Sequence, residues 1–308
     1  MMVDVLMATY NGEDYIEEQI ESILNQSYTK WKLYIRDDGS TDNTLQIIEK
    51  FSIKYPEKIF LVKDDKKGLG AKGNFKELMR YSSNDYCMFS DQDDIWLKDK
   101  IEKSFEKIKS LEELYGIDTP ILVHTDLRVV DENKKIINNS FWKYQNLNPN
   151  NIQLRKLLVE NIVTGCTMII NKPLLNLSKN IPKESVMHDS WIALVASAKG
   201  KVYSLDEQTI LYRQHSKNEV GAKSVKGIGF IQKNLNQEKI NLSINNSIGQ
   251  ASKLYEIFNE ELTETDKQIL KTFKNIRKHR YLKRKYIVIK YKFYKNDFKR
   301  RLGYLIFI

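Results

Sequence analysis

The chain has 308 residues, 41% of them hydrophobic and 29% charged, with only five prolines and thirteen glycines. That size and balance suit a globular protein with a substantial core and exclude a low-complexity chain. The net charge of +10 is unevenly placed: Lys271 to Arg301 holds fourteen Lys or Arg against one acid, Asp297, which leaves a net of −3 elsewhere. One segment is therefore marked for an acidic partner surface.

The opening "MMVDVLMATYNGEDY" lacks the basic and apolar regions of a signal peptide and reads as a first strand over 3–9. A helix is expected over 13–26, with Ile16, Ile20, Ile23 and Leu24 on one face. A strand over 31–37 follows, then a helix that Asp42 opens as N-cap, with Leu45, Ile48 and Phe51 at helical spacing. Strand 58–64, helix 74–82, strand 85–90 and helix 97–115 continue the alternation. Such a run predicts an α/β fold whose mostly parallel sheet is covered on both faces. Its ligands belong beyond the carboxyl ends of the strands. Three polar clusters fall there: Thr9-Tyr10-Asn11, Asp37-Asp38-Gly39-Ser40 and Asp91-Gln92-Asp93.

Further strands are expected over 121–131, 163–171 and 209–215, with a glycine-closed helix over 188–200. Helical patterns then run over roughly 228–259 and 263–300. A boundary near 220 separates a body, 1–218, from a helical extension, 219–308, that is basic from about 271. No window approaches the roughly 18 uncharged apolar residues of a spanning helix. Cys87 and Cys166 sit in apolar strand-like runs and read as buried, reduced thiols without metal-ligand spacing. A cytoplasmic address is the default expectation.

In "SDQDDIW", 90–96, three carboxylates crowd into four positions. Carboxylates that close raise one another's pKa, so something must offset the repulsion. Asp91-x-Asp93 at a strand end suits a hard divalent cation, which takes one or two carboxylates and completes its shell with water and phosphate. It equally suits a helix N-terminus, where the dipole stabilises acids, and Asp94 fits that second role.

The ordered set "MATYNGEDYIEEQIESILNQSY", "DDGSTDNT" and "SDQDDIW" resembles the inverting family 2 glycosyltransferases of the GT-A, nucleotide-diphospho-sugar transferase fold. The resemblance covers roughly 2–218. "NIVTGCTMIINK", "HDSWIALVASAKG" and "YRQH" extend it to the rhamnosyltransferase-like, bacterial surface-polysaccharide branch. It implies a mixed, mostly parallel sheet flanked by helices, with the basic helical extension behind it.

It also implies roles for matching residues. Thr9, Asn11 and Glu13 would line the nucleotide pocket, and Asp38 would accept the pyrimidine N3–H, or else close an Asx turn. Asp37 is the better turn residue. Lys72 and Asn74, in "DDKKGLGAKGNF", would lie beside base and ribose, although Asn74 also suits an N-cap. Asp91 would contact the ribose or a metal-bound water, and Asp93 would ligate Mg²⁺ or Mn²⁺, helped by His215. Asp189 matches the catalytic base, with an N-cap as its plain alternative and His188 as a neighbour that could titrate near neutrality. Thr164 and Gly165 fall on the acceptor-side wall. Arg213 could pair with a phosphate or a core acid, and His124 reads as a core histidine.

The implied donor is a UDP- or dTDP-sugar, with dTDP-L-rhamnose first and UDP-hexose next. The acceptor would be a saccharide or lipid-linked saccharide. The tail's mixture of Lys and Arg with Tyr, Ile and Phe suits peripheral contact with an anionic membrane at the inner face of the cell membrane. Nucleic acid is the less favoured partner. Three competitors remain, the first a glycosidase, which would need two carboxylates flanking the scissile bond. A nucleotidyltransferase would carry a glycine-rich basic loop where this chain has "TYNGEDY", and a non-catalytic protein would act through its tail alone.

Overall fold

The structure, a computed structural model, describes residues 1–216 and 237–308. The expected boundary near 220 and the start of the 228–259 helical pattern lie outside the described residues. In chain order the elements open with β1 (Val3–Thr9), α1 (Ile16–Leu24), β2 (Trp31–Asp37), α2 (Thr44–Lys54), β3 (Ile59–Leu61) and α3 (Gly70–Leu78). They continue with β4 (Tyr86–Ser90), β5 (Ile95–Trp96), α4 (Lys100–Tyr115), β6 (Ile121–Asp131), β7 (Ile136–Asn138), α5 (Phe141–Tyr144) and α6 (Leu154–Leu157). After these come β8 (Met168–Asn171), α7 (Lys172–Ser178), α8 (His188–Lys199) and β9 (Lys201–Gln214). Four helices close the chain: α9 (Gln237–Phe258), α10 (Glu264–Lys274), α11 (Tyr281–Tyr291) and α12 (Phe298–Phe307).

Among the described residues there are two compact units. The first takes in Met1–Phe141, Thr164–Asn180 and 203–216, and the second Trp142–Val163, Ile181–Val202 and 237–308. The first unit is built on a mixed sheet of order β3-β2-β1-β4-β8-β6-β9-β5, with β7 on β6. β3, β2, β1 and β4 pair in parallel. The β4–β8, β6–β8 and β5–β9 pairings are antiparallel. Val3, Val5, Leu6 and Met7 are fully buried, as a central strand covered on both faces requires. α1 buries Ile16, Ile20 and Ile23 and α4 buries Ile101 and Ile108, one stripe each.

Asp4 is an acid inside this core. Its carboxylate accepts from Ser82 Oγ, the Ser83 and Asn84 amides and Asn84 Nδ2, at 2.6–3.0 Å. Four donors offset its burial and fix the turn that feeds β4. The parallel register sets Thr9 opposite Asp37 and Met7 opposite Ser90. The three polar clusters therefore leave the sheet at the same end.

Some expected boundaries move. The helix expected from 97 begins at Lys100, because Ile95 and Trp96 pair with Leu211 and Ile210 of β9. Of the strand expected over 163–171 only Met168–Asn171 forms; the Thr164 carbonyl accepts from the Thr167 amide at 2.9 Å and turns the chain before it. β9 starts at Lys201, well before 209.

In the second unit α8 buries Trp191, Ile192, Leu194 and Val195 and packs with α6 and α9. The helical pattern expected over 263–300 resolves into α10, α11 and α12. Lys292, in the left-handed region at φ 57°, ends α11. The Asp297 carboxylate accepts from the Arg300 amide at 2.9 Å and starts α12. Between them Phe293 turns inward onto Phe273, edge to face at 4.9 Å. Glu160 accepts from the Asn296 amide at 2.8 Å and pairs with Arg300 at 3.1 Å, so the basic C-terminal stretch is part of the folded unit. No helix among the described residues is long and apolar enough to cross a membrane.

Candidate active site

At the end of β2, Asp37 is the turn residue. Its Oδ1 accepts from the Gly39 and Ser40 amides at 3.0 and 2.7 Å, while Oδ2 receives Thr9 Oγ1 at 3.0 Å. That frees Asp38 to point elsewhere. The Asp38 carboxylate is 5% exposed; Oδ1 meets Arg36 Nη1 at 3.2 Å and Oδ2 accepts from the Gly70 amide at 2.8 Å. Gly68 and Gly70 both take positive φ, 68° and 67°, and the Gly68 amide donates to the Asp38 carbonyl at 3.0 Å. The glycine loop is thus wrapped on Asp38, which is the physical use of its glycines.

Arg36 is the hub that sequence reasoning missed. It is 1% exposed, forks onto Asp64 with two bonds of 2.9 Å, and reaches Asn74 Oδ1 at 3.1 Å. Burial works against its charge, but Asp64 and Asp38 hold the guanidinium above its ordinary pKa. The available signal was an arginine on the otherwise apolar strand "WKLYIRD". Asn74 is buried inside α3 and donates to the Arg36 carbonyl at 3.1 Å, so it is not an N-cap; Leu69 holds that position. Lys72 lies in the first turn of α3.

Asn11, at φ 47°, is bound through its amide to Ser40 Oγ at 2.8 Å and through Oδ1 to the Thr41 amide at 2.8 Å. Glu13 accepts from the Asn43 amide and Nδ2 at 3.0 and 2.7 Å, which caps α2. Asp42, expected as the N-cap, sits one residue earlier and accepts from the Thr44 amide at 3.0 Å.

The second half of the site is the loop after β4. Gln92, the middle residue of Asp-Gln-Asp, clasps the Tyr10 backbone with bonds of 2.8 and 2.9 Å. Gly12 lies so close that a Cβ there would meet the Gln92 carboxamide at 2.4 Å. His215 Nε2 is 2.9 Å from Asp93 Oδ2, and its ring stacks on Tyr15 at 4.4 Å between centroids. Arg213 donates through Nε to the Asp93 carbonyl at 3.1 Å, pairs with Glu18 and lies over the same Tyr15 ring at 4.8 Å. Arg213 therefore takes a carboxylate of α1 as its partner. The buried Gln19 carboxamide reaches Ser90 Oγ and the Asp94 carbonyl at 2.7 Å and Trp96 Nε1 at 3.1 Å. Tyr15, Glu18 and Gln19 escaped the sequence reading because they pass as ordinary residues of the helix expected over 13–26.

Asp94 does not start a helix. It is fully buried before β5, and burial first, then the charges of Asp93 and Asp91, push its carboxyl far above the usual range. The fold thus disfavours the charged form of the third acid, which relieves part of the carboxylate crowding. Asp91, Asp94 and Cys166 bring ligand atoms within 4.8 Å of one another. An acid and a thiol whose charged forms burial disfavours are poor donors for a hard cation. Asp93 and Asp91, with an imidazole on Asp93, are the oxygen and nitrogen donors that suit Mg²⁺ or Mn²⁺. Both cysteines are buried and free.

In the second unit Asp189 occupies the first turn of α8, two residues after the N-cap Met187, so the N-cap alternative does not hold. The start of α8 is held by Gln250 of α9, which accepts from the Val186 amide at 3.0 Å and donates to Ser190 Oγ at 3.3 Å. His188 is fully buried, and burial lowers its pKa to about 3, which removes it as a group that titrates near neutrality. His124 is likewise buried and lowered to about 3, as a core histidine. Thr164 and Gly165 lie at the turn before β8.

A parallel βα half with carboxylates at its strand ends, continued by antiparallel strands, is the architecture of the GT-A nucleotide-sugar transferases. The model of the family "Glycosyl transferase family 2" matches residues 4–177, and the chain belongs to that family. It is 33% identical over 228 residues to the dTDP-rhamnosyl transferase RfbG of Shigella flexneri, covering 70% of this chain and 74% of that protein. It is 31% identical over 176 residues to the UDP-Glc:alpha-D-GlcNAc-diphosphoundecaprenol beta-1,3-glucosyltransferase WfgD of Escherichia coli, covering 57% of this chain and 62% of that protein. Among solved structures, S. aureus TarS 1–349 superposes with a TM-score of 0.58 at 19% identity, over 89% of this chain and 71% of that one. The mannosyltransferase PcManGT from Pyrobaculum calidifontis, in complex with GDP-Man and Mn²⁺, gives 0.57 at 16% identity, over 94% and 72%. These likenesses support the fold.

Proposed function

We propose that this family 2 glycosyltransferase is a metal-dependent inverting enzyme. It moves a hexose or deoxyhexose from a dTDP or UDP donor to a hydroxyl of a growing bacterial surface polysaccharide or lipid-linked oligosaccharide. The observation that carries the reading is the Asp93–His215 pair at 2.9 Å, at the sheet end where Thr9, Asp37 and Asp91 also emerge. dTDP-L-rhamnose is the first donor to test and UDP-hexose the second, in keeping with the names of RfbG and WfgD. The catalytic body is 1–218 and the extension 219–308, whose basic stretch meets the membrane at its cytoplasmic face.

Thr9, Asn11 and Glu13 line the nucleotide pocket, Asp38 accepts the pyrimidine N3–H, and Lys72 and Asn74 stand beside base and ribose. Asp91 would contact the ribose or a water of the cation's shell, while Asp93 and His215 would hold Mg²⁺ or Mn²⁺. When bound, the cation neutralises charge on the leaving diphosphate. Asp189 takes the proton of the acceptor hydroxyl as its oxygen attacks the anomeric carbon from the face opposite the leaving group. The anomeric C–O bond to the diphosphate breaks and the nucleoside diphosphate departs. Gln250 keeps the start of α8 in place for that proton transfer.

The test is release of nucleoside diphosphate from a panel of UDP- and dTDP-sugars, with acceptor extract and with Mg²⁺, Mn²⁺ or a chelator. Metal-dependent release from one donor, lost in Asp93→Asn and reduced on the order of 10²-fold or more in Asp189→Asn, is expected. Release that continues in the chelator, or an Asp93→Asn enzyme as fast as the parent, would overturn the metal assignment.

A further inference from the structure

The second unit presents two rows of large apolar side chains to solvent. On α11, Leu282, Tyr286 and Ile289 follow i, i+4, i+7 spacing, and Leu282 and Ile289 are 80% and 64% exposed. On α12, Phe298, Leu302 and Ile306 follow i, i+4, i+8 spacing, with Phe298 73% exposed. Helical geometry puts each trio on one face, since residues at these intervals lie within about 80° of one another around the axis. Isolated surface leucines need no explanation, but two ordered rows do.

The rows belong to one folded surface. Opposite faces of the helices go inward through Ile287 and Val288 on α11 and Tyr304 on α12. Lys285 of α11 donates to the carbonyls of Leu305 and Ile306 at the end of α12, and Arg277 donates to the Phe307 carbonyl at 3.2 Å. Exposed Lys283, Lys290 and Lys299 flank the rows. Asp297, the one acid between Lys271 and Arg301, is buried and engaged by the Arg300 amide and Asn146.

We infer that the apolar rows of α11 and α12, with their lysine borders, are a docking surface for an anionic lipid bilayer. Apolar side chains at helical spacing enter the boundary between headgroups and acyl chains while lysines stay among the anionic headgroups. A second copy of the chain fits poorly, because it would bring two fourteen-cation stretches together. Nucleic acid fits poorly too, since the rows are largely aliphatic and offer few rings for bases to stack on. The inference deepens the proposed membrane contact of the basic stretch by naming the residues that make it, and rests on the proposed function for the lipid-linked acceptor. The surface itself is read from these residues.

The test is flotation of the full chain with vesicles of phosphatidylcholine alone and of phosphatidylcholine with phosphatidylglycerol. Three proteins are compared: the parent, Leu282→Ser/Ile289→Ser/Leu302→Ser, and Lys283→Gln/Lys290→Gln/Lys299→Gln. The substituted side chains are solvent-exposed, so unchanged circular dichroism and thermal midpoint check the fold. The parent is expected to float with the anionic vesicles and to be released by high salt. Each triple variant is expected to lose binding on the order of tenfold or more. Equal binding to neutral vesicles, no binding at all, or a parent that prefers single-stranded DNA to vesicles would overturn the inference. So would a parent that is a dimer where the serine variant is a monomer. Nucleoside diphosphate release, measured without vesicles in all three proteins, separates failure of this surface from failure of the enzyme reading.

Discussion

Lys100 and Asp94 sit fully buried, and burial disfavours the charged form of each. Burial lowers Lys100 to about 8, with its Nζ 4.7 Å above the Trp96 ring, whereas the unfolded lysine titrates at about 10.5. The native state therefore disfavours the ammonium. Stability from this group is full above the unfolded pKa and falls as pH drops towards 8, so at neutral pH the charge costs about 3 kcal/mol. Lys100→Met should accordingly stabilise the protein by about 1–3 kcal/mol in urea unfolding at pH 7. A destabilised variant would show that Lys100 has a favourable role that burial and Asp94 do not reveal. The Gly12–Gln92 contact gives a second prediction at this scale. Gly12→Ala should disrupt the clasp on Tyr10 and weaken donor binding, yet add little in a Gln92→Ala background, because the carboxamide it strikes is already gone. Additive effects in a double-mutant cycle on donor affinity would contradict that coupling.

At the scale of elements, the loop between β3 and α3 shows how local chemistry and distant packing combine. Gly70 offers its amide to Asp38 from φ 67°, a conformation that penalises any side chain even where space is open. Gly70→Ala should cost about 1–2 kcal/mol of stability and weaken nucleotide binding, read by thermal unfolding and calorimetry. An unchanged variant would mean the loop reshapes without consulting Asp38. The βα alternation through 115 was legible because each element buries a face with its own period, and the strand ends followed from it. Asp37 as the turn residue was legible from "DDGS", whereas the partners of Asp38, Arg36 and the Gly70 amide, were not. What local sequence could not show were the long-range pairs. Two residues, Ile95 and Trp96, become a strand only because β9 lies beside them, and that displaced the expected helix start to Lys100. Arg36 looked like a strand residue until Asp64 and Asn74, about thirty and forty positions away, closed around it. Gln250 was one polar residue on an apolar helix face, and its partners, Val186 just before α8 and Ser190 on it, are 64 and 60 positions distant.

Across the whole molecule each compact unit carries a buried neutral imidazole, His124 in the first and His188 in the second, both lowered to about 3 by burial. The unfolded chain takes up protons near pH 6.5, well before the folded one does. Stability is therefore complete above about pH 6.5 and declines as pH falls towards 3, by about 2 kcal/mol per histidine at pH 5. Thermal midpoints should drop between pH 7 and pH 5, and His124→Gln should flatten part of that slope; a pH-independent midpoint would contradict the assignment. In the first unit, the proposed role of the ends of β1, β2 and β4 is a metal-assisted seat for a pyrimidine nucleoside diphosphate. The most direct test is calorimetric titration of UDP and dTDP into the parent, Asp93→Asn and His215→Asn, each with Mn²⁺ and with a chelator. Mn²⁺ is expected to tighten binding to the parent on the order of tenfold or more, and Asp93→Asn to abolish this gain. Equal affinity with and without Mn²⁺, or an undiminished gain in Asp93→Asn, would contradict it.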